Sequence, residues 1–110
     1  MEDRLAHALK YASKNQSKPG KRGFIYFIQC HEFTKVGFTD KVAIRLSCLQ
    51  TGCPYELHLI KAMATDNMER DEAIVHRHWK RYEVRGEWFQ VPESELTVLS
   101  GSESIQELVS

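Results

Sequence analysis

The run Gly23-Phe-Ile-Tyr-Phe-Ile28 limits what this chain can fold into more than any other stretch. Residues 24–30 are apolar and aromatic but lack a helical period, which predicts a strand. The polar segment Asn15-Gln-Ser-Lys-Pro-Gly-Lys-Arg22 precedes it with a Pro-Gly break and reads as a linker. A short polar loop follows and leads to a second strand near 33–38, so the two strands pair as a hairpin.

The flanking segments alternate between helix and strand character. Residues 3–14 place Leu5, Ala8, Leu9 and Ala12 at helical spacing. Thr39 or Asp40 can cap a helix over 41–50, and Thr51-Gly-Cys-Pro54 ends it, with Gly52 in a favourable C-terminal position. Residues 57–64 predict a third strand, and Asp66 or Asn67 caps a helix running to Tyr82. Gly86-Glu-Trp-Phe-Gln-Val91 reads as a short extended segment, and Pro92 opens a short helix in its first turn. The final Ser-Gly-Ser-Glu-Ser run reads as a frayed tail. These lengths predict an α+β fold, a small three-stranded, mainly antiparallel sheet flanked by helices. Residues 1–22 are then an N-terminal helix and linker, 23–92 the main domain and 93–110 an acidic C-terminal tail.

A chain of 110 residues has room for one core. No apolar run approaches the roughly 18 residues that span a bilayer. The N-terminus Met-Glu-Asp-Arg lacks the apolar segment of a signal peptide, so a cytoplasmic location is expected, with no membrane partner. Cys30, Cys48 and Cys53 are an odd set, expected as free thiols in a reducing compartment. The formal net charge of zero hides an asymmetry. Residues 1–86 carry all 15 lysines and arginines against ten acidic residues, whereas 87–110 carry five glutamates and no base. A basic body suits a polyanion partner, although charge segregation of this size also occurs without one.

Five positions hold chemistry. Tyr26 shares a strand face with Ile28, and Lys35 shares one with Gly37 on the next strand. A hairpin can set Tyr26 beside Lys35, where an ammonium favours the phenolate and makes Tyr26 a general base or a positioner of water. Gly37 would leave room for a phosphate backbone to approach. The plainer alternative is a half-buried sheet aromatic and an edge charge. Arg45 flanks the apolar face marked by Val42, Leu46 and Leu49, and its guanidinium fork suits phosphate oxygens or an ordinary salt bridge. Glu72 and His76 lie four apart on one helix face, where a single carboxylate suffices for Mg²⁺ or the two form a surface pair. His76 can orient Glu72, contact phosphate or fill the boundary between helix and sheet. Cys30, His31, Cys48, Cys53, His76 and His78 lack the paired spacing of a zinc site. Trp88 and Phe89 read as core plugs rather than stacking platforms, and Arg77, Lys80, Arg81 and Arg85 track a nucleic-acid backbone or form a solvated face.

Taken in order, Ile25-Tyr26, Lys35-Val-Gly37, Thr39, Arg45, Leu49-Gln-Thr-Gly-Cys-Pro54, Glu72-Ala-Ile-Val-His76 and Gly86-Glu-Trp-Phe89 resemble the GIY-YIG endonuclease superfamily. The closest likeness is to a compact phage- and bacteria-associated branch with a Lys-Ile-Gly type of second motif. The resemblance covers residues 23–92 and implies a metal-dependent endonuclease that cuts DNA, with Mg²⁺ or Mn²⁺ held by Glu72. It implies a catalytic set of Tyr26, Lys35, Arg45, Glu72 and His76, and a partner protein, dimer or extension for target choice. The chain departs from the broader superfamily in three places. Gly23 stands one residue too far from Ile25-Tyr26, Lys35 replaces a tyrosine, and no asparagine follows Glu72. A non-catalytic nucleic-acid-binding module on the same fold is the alternative expectation.

Overall fold

A computed structural model describes residues 20–110, so the expected helix over 3–14 lies outside the described residues. The elements are β1 (Gly23–Cys30), β2 (Phe33–Thr39), α1 (Val42–Thr51), β3 (His58–Thr65) and α2 (Met68–His78). A 3₁₀ turn (Lys80–Tyr82), β4 (Glu83–Arg85), β5 (Trp88–Phe89), α3 (Glu93–Gly101) and α4 (Ile105–Val109) follow. Among the described residues no helix is long and apolar enough to cross a membrane.

β1 and β2 form the predicted hairpin through a two-residue loop, His31-Glu32, with His31 at φ = +56°. A positive φ at the first loop residue matches the twist of the flanking strands, and histidine tolerates that region better than most side chains. The sheet has five antiparallel strands in the order β3-β1-β2-β5-β4 and not the three expected from the sequence. The two extra strands are three and two residues long, too short to display an alternation of period two. Gly86, at φ = +55°, supplies the turn that folds them onto β2.

The sheet separates two apolar layers, as the alternation along β1 predicts. Ile25 and Phe27 join Val36, Met63, Val75, Trp79, Phe89, Leu99, Ile105 and Leu108 in the main core beneath α2, α3 and α4. Tyr26, Ile28 and Leu57 form a smaller cluster on the other face, with Leu46 and Leu49 of α1 packed on it. Trp79 is wholly buried and meets Phe27 and Phe89 edge-on at centroid distances of 5.7 and 6.1 Å. Its indole Nε1–H donates to Glu95 Oε1 at 3.1 Å, so the polar end of the ring is also satisfied.

Several local expectations need correction. α1 begins after Lys41 with no side-chain cap, because the Thr39 hydroxyl accepts from the Lys41 N–H two residues away. Gly52 ends α1 at φ = −92° and so does not use the left-handed region. α2 is capped by Asn67, whose Oδ1 accepts from Arg70 N at 3.1 Å, and it stops at His78 before the 3₁₀ turn. Pro92 occupies the capping position of α3 rather than its first turn. In the run read as a frayed tail Ser102 is buried and Ser104 caps α4, whose Ile105 and Leu108 reach the core.

Trp79→Ala should cost about 3–5 kcal/mol, the loss expected for a buried large aromatic. Urea denaturation reads this as a lower midpoint at an unchanged slope.

Candidate active site

Tyr26 lies opposite Gly37 in the β1–β2 register, and Lys35 lies opposite Ile28. Tyr26 and Lys35 are thus diagonal neighbours rather than the side-by-side pair expected. The Tyr26 ring runs across the β2 backbone at Gly37. A Cβ at that position would stand 2.3 Å from the phenol oxygen and 2.4 Å from Cζ, so only glycine admits the ring. The space expected to receive a phosphate backbone is therefore filled by the protein's own tyrosine. Tyr26 is 1% exposed, and its phenol oxygen lies over Gly37.

Arg45 comes to the same place from α1. Its Nε donates to the Tyr26 hydroxyl at 3.4 Å, a long bond by hydrogen-bond standards. The side chain is half-buried, and its two Nη atoms make no hydrogen bond or ion pair among the described residues. The guanidinium can therefore hold the phenol with one nitrogen and present two others outward.

Lys35 is 8% exposed, and its ammonium lies 3.2 Å from Glu87 Oε1 and 5.4 Å from the centre of the Trp88 ring. Glu87 is itself 4% exposed. Two buried charges held this close compensate each other's desolvation, and neither is tolerable alone. Sequence reasoning took Gly86-Glu-Trp-Phe89 as a closing motif and missed Glu87 as a charge partner. The available signal was the lysine itself, since a lysine buried in a central strand needs an anion.

Glu72 and His76 arrive from the main-core side. His76 Nε2 lies 3.0 Å from the carbonyl oxygen of Val36. A carbonyl only accepts, so Nε2 carries the proton, and in the neutral ring Nδ1 keeps the lone pair. The imidazole also stands edge-on to Phe89 at 5.0 Å. Of the roles open in the sequence, the structure therefore gives His76 a place at the helix–sheet boundary. Met68, at the start of α2, lies against Gly23 and donates its N–H to Lys21 O at 3.0 Å. α2 thus runs along β2 from its Thr39 end toward Val36. Glu72 lies midway between Met68 and His76 on one stripe of α2, and the part of β2 beyond Val36 is the Gly37–Phe38 stretch. β5 pairs only with Thr34 and Lys35 and reaches Val36 through Glu87 O, so it does not cover that stretch.

Glu69, one turn before Glu72, has a buried Oε2 with no hydrogen-bond partner among the described residues. Two carboxylates at i and i+3 make an oxygen-only donor set, which fits a hard divalent cation that keeps most of its waters. Among the described residues no group of three or more His, Cys, Asp or Glu could hold a metal. Cys30 and Cys53 pack together against the smaller cluster, and burial, with Cys53 adding to it, pushes the Cys30 thiol up. Phe89 is a core plug, while Trp88 is half-buried against the smaller cluster. Arg77, Lys80, Arg81 and Arg85 are all exposed, with Lys80 paired to Glu83 at 2.7 Å and Arg81 over the Tyr82 ring.

A family model described as the T5orf172 domain matches residues 10–101. That domain is phage-associated and of DNA-binding or endonuclease-like character, related to nucleases of the GIY-YIG and HNH types. No curated protein and no solved structure gives a significant match.

Removing one member of the Lys35–Glu87 pair should be far worse than removing both. Glu87→Ala should cost about 3–5 kcal/mol, whereas Lys35→Met with Glu87→Leu should fold with close to wild-type stability or better. Denaturant midpoints of the three proteins check the difference.

Proposed function

The chain belongs to the T5orf172 domain family, and on that premise we propose that it is a metal-dependent endonuclease that hydrolyses phosphodiester bonds of DNA. The observation that carries this reading is the Tyr26 phenol laid across Gly37, with Arg45 Nε 3.4 Å from its oxygen, beside the stretch of β2 that β5 leaves uncovered. A phosphate set at that stretch meets the outward nitrogens of Arg45, which take up negative charge as it grows on the phosphoryl oxygens. The Tyr26 oxygen positions the attacking water or accepts its proton as the new P–O bond forms and the bond to the departing sugar oxygen breaks, that oxygen leaving with the electron pair and taking a proton from solvent. Glu72, with Glu69 one turn before it, would hold the ion. A Mg²⁺ or Mn²⁺ bound there supplies Lewis-acid charge to a phosphate oxygen.

Lys35 and His76 have positioning roles in this reading. Lys35 ties the Gly86-Glu-Trp-Phe89 turn to β2 through Glu87, and His76 ties α2 to the same strand through Val36 O. That two of the five expected catalytic residues are engaged in structural bonds favours a second reading, a nucleic-acid-binding module that does not cut. It predicts salt-dependent binding without cleavage.

Plasmid nicking with Mg²⁺ or Mn²⁺ separates the two. The wild type should nick, and Glu72→Ala and Arg45→Ala should each lower the rate by about 10²-fold or more. Equal cleavage by all three proteins overturns the nuclease reading. Gly37→Ala should impair nicking as Tyr26→Phe does, because the new Cβ takes the space now held by the phenol.

A further inference from the structure

At the hairpin end of the sheet, Gln29, His31, Tyr55, Glu56 and His58 line an open cleft of ≈ 310 Å³ that the reaction above does not use. Gln29 and His58 are cross-strand partners on β1 and β3. His31 is the left-handed residue of the hairpin loop, and its ring stands at 82° to the Tyr55 ring with centroids 4.6 Å apart. Tyr55 is 56% exposed, so much of its ring is bare.

The cleft is preformed. Gln50, on α1, donates to Tyr55 O at 2.9 Å and Cys53 O at 3.4 Å and accepts from Leu57 N at 2.8 Å. One side chain thus fixes the segment that presents Tyr55 and Glu56, and a ligand meets a wall already ordered. The same helix carries Arg45, five residues earlier, so the cleft and the phenol–guanidinium pair share a support.

We propose that this cleft takes an unpaired nucleobase of the strand whose phosphate lies at Tyr26 and Arg45, an inference that rests on the nucleic-acid reading above. Its chemistry selects a base over the other parts of a nucleotide. Tyr55 offers an open aromatic face for stacking, which every base can use. The Gln29 amide both donates and accepts, the two imidazoles add ring nitrogens, and Glu56 accepts only, as a base edge with exocyclic amines requires. Among the described residues no lysine or arginine lines the cleft, and the Glu56 carboxylate disfavours a phosphate there. The volume is at the low end for small-molecule sites, about 300 Å³, which suits a single planar ring system.

Gln29 follows Tyr26 by three residues on β1, roughly 10 Å at about 3.3 Å per residue, which equals about three nucleotides at the 3.4 Å rise of a stacked strand. The odd separation turns Gln29 and its cross-strand partner His58 to the other face of the sheet from Tyr26. A strand that reaches the cleft therefore passes round the hairpin end of the sheet.

The test uses two oligonucleotides at one salt concentration without divalent metal, a plain duplex and the same duplex with one bulged 2-aminopurine. The wild type should bind the bulged form more tightly and quench its fluorescence. Tyr55→Ala should weaken that binding about tenfold or more and leave the duplex affinity unchanged. Tyr55→Phe should restore it, and His58→Ala should weaken it in the same selective way. Because Tyr55 is exposed, melting curves of its variants should match the wild type. If Tyr55→Ala affects both oligonucleotides equally, or neither, the base site is overturned while the nucleic-acid reading stands. If the wild type binds neither oligonucleotide, that reading fails and takes the base site with it.

Discussion

Val36 holds the candidate site together through two backbone bonds. Its N–H donates to Glu87 O at 3.0 Å, and its C=O meets His76 Nε2 at 3.0 Å. A buried strand must satisfy both groups, and in a continuous sheet one neighbouring strand would satisfy them. Here the neighbour ends, and a turn and a helix take one group each. That division leaves the next stretch of β2, at Gly37 and Phe38, paired with β1 alone among the described residues, and there Arg45 of α1 meets the Tyr26 phenol laid over Gly37. A longer β5 would complete the ladder and close the site.

The Lys35–Glu87 pair serves the same end. A pair of apolar residues could fill its volume at no cost in stability. What the charges add is specificity of register. β5 is two residues long and β4 three, too few ladder bonds to fix their own alignment. An ammonium that accepts only one position for its carboxylate sets Gly86-Glu-Trp-Phe89 at one place on β2.

The parts of the fold legible in the sequence are those with enough residues to show a period. Eight residues of β1 reveal two faces, and the structure puts Ile25 and Phe27 in one apolar layer and Tyr26 and Ile28 in the other. Asn67 was readable as a cap because its chemistry is local. β4 and β5 were not readable as sheet members, since their pairing depends on a glycine turn and a distant lysine. The tail from Glu93 was misread because serine and glutamate dominate its composition, while Leu99, Ile105 and Leu108 are spaced to reach one core. In the site, the structure sets Arg45 Nε beside the Tyr26 hydroxyl, two residues that the motif order names together. The space over Gly37 and the partner of Lys35 depended on register, which a one-residue shift reverses and which the sequence pattern alone does not specify.

The two faces of the sheet also differ in how firmly they hold what they carry. α2, α3 and α4 each bury at least one residue fully, whereas α1 buries none and lacks a side-chain cap, an acidic first turn and a basic last turn. α1 rests on half-buried Leu46 and Leu49 over a cluster of three buried residues. Local opening is drawn from regions with few buried apolar contacts. Glu72 therefore sits on a helix fixed to the main core, while Arg45 sits on the helix with fewer buried apolar residues. On the proposed nuclease reading, the carboxylate and the guanidinium then stand on differently anchored helices. The long bond from Arg45 to Tyr26 is then a contact that a phosphate can exchange for shorter, charge-assisted bonds of its own.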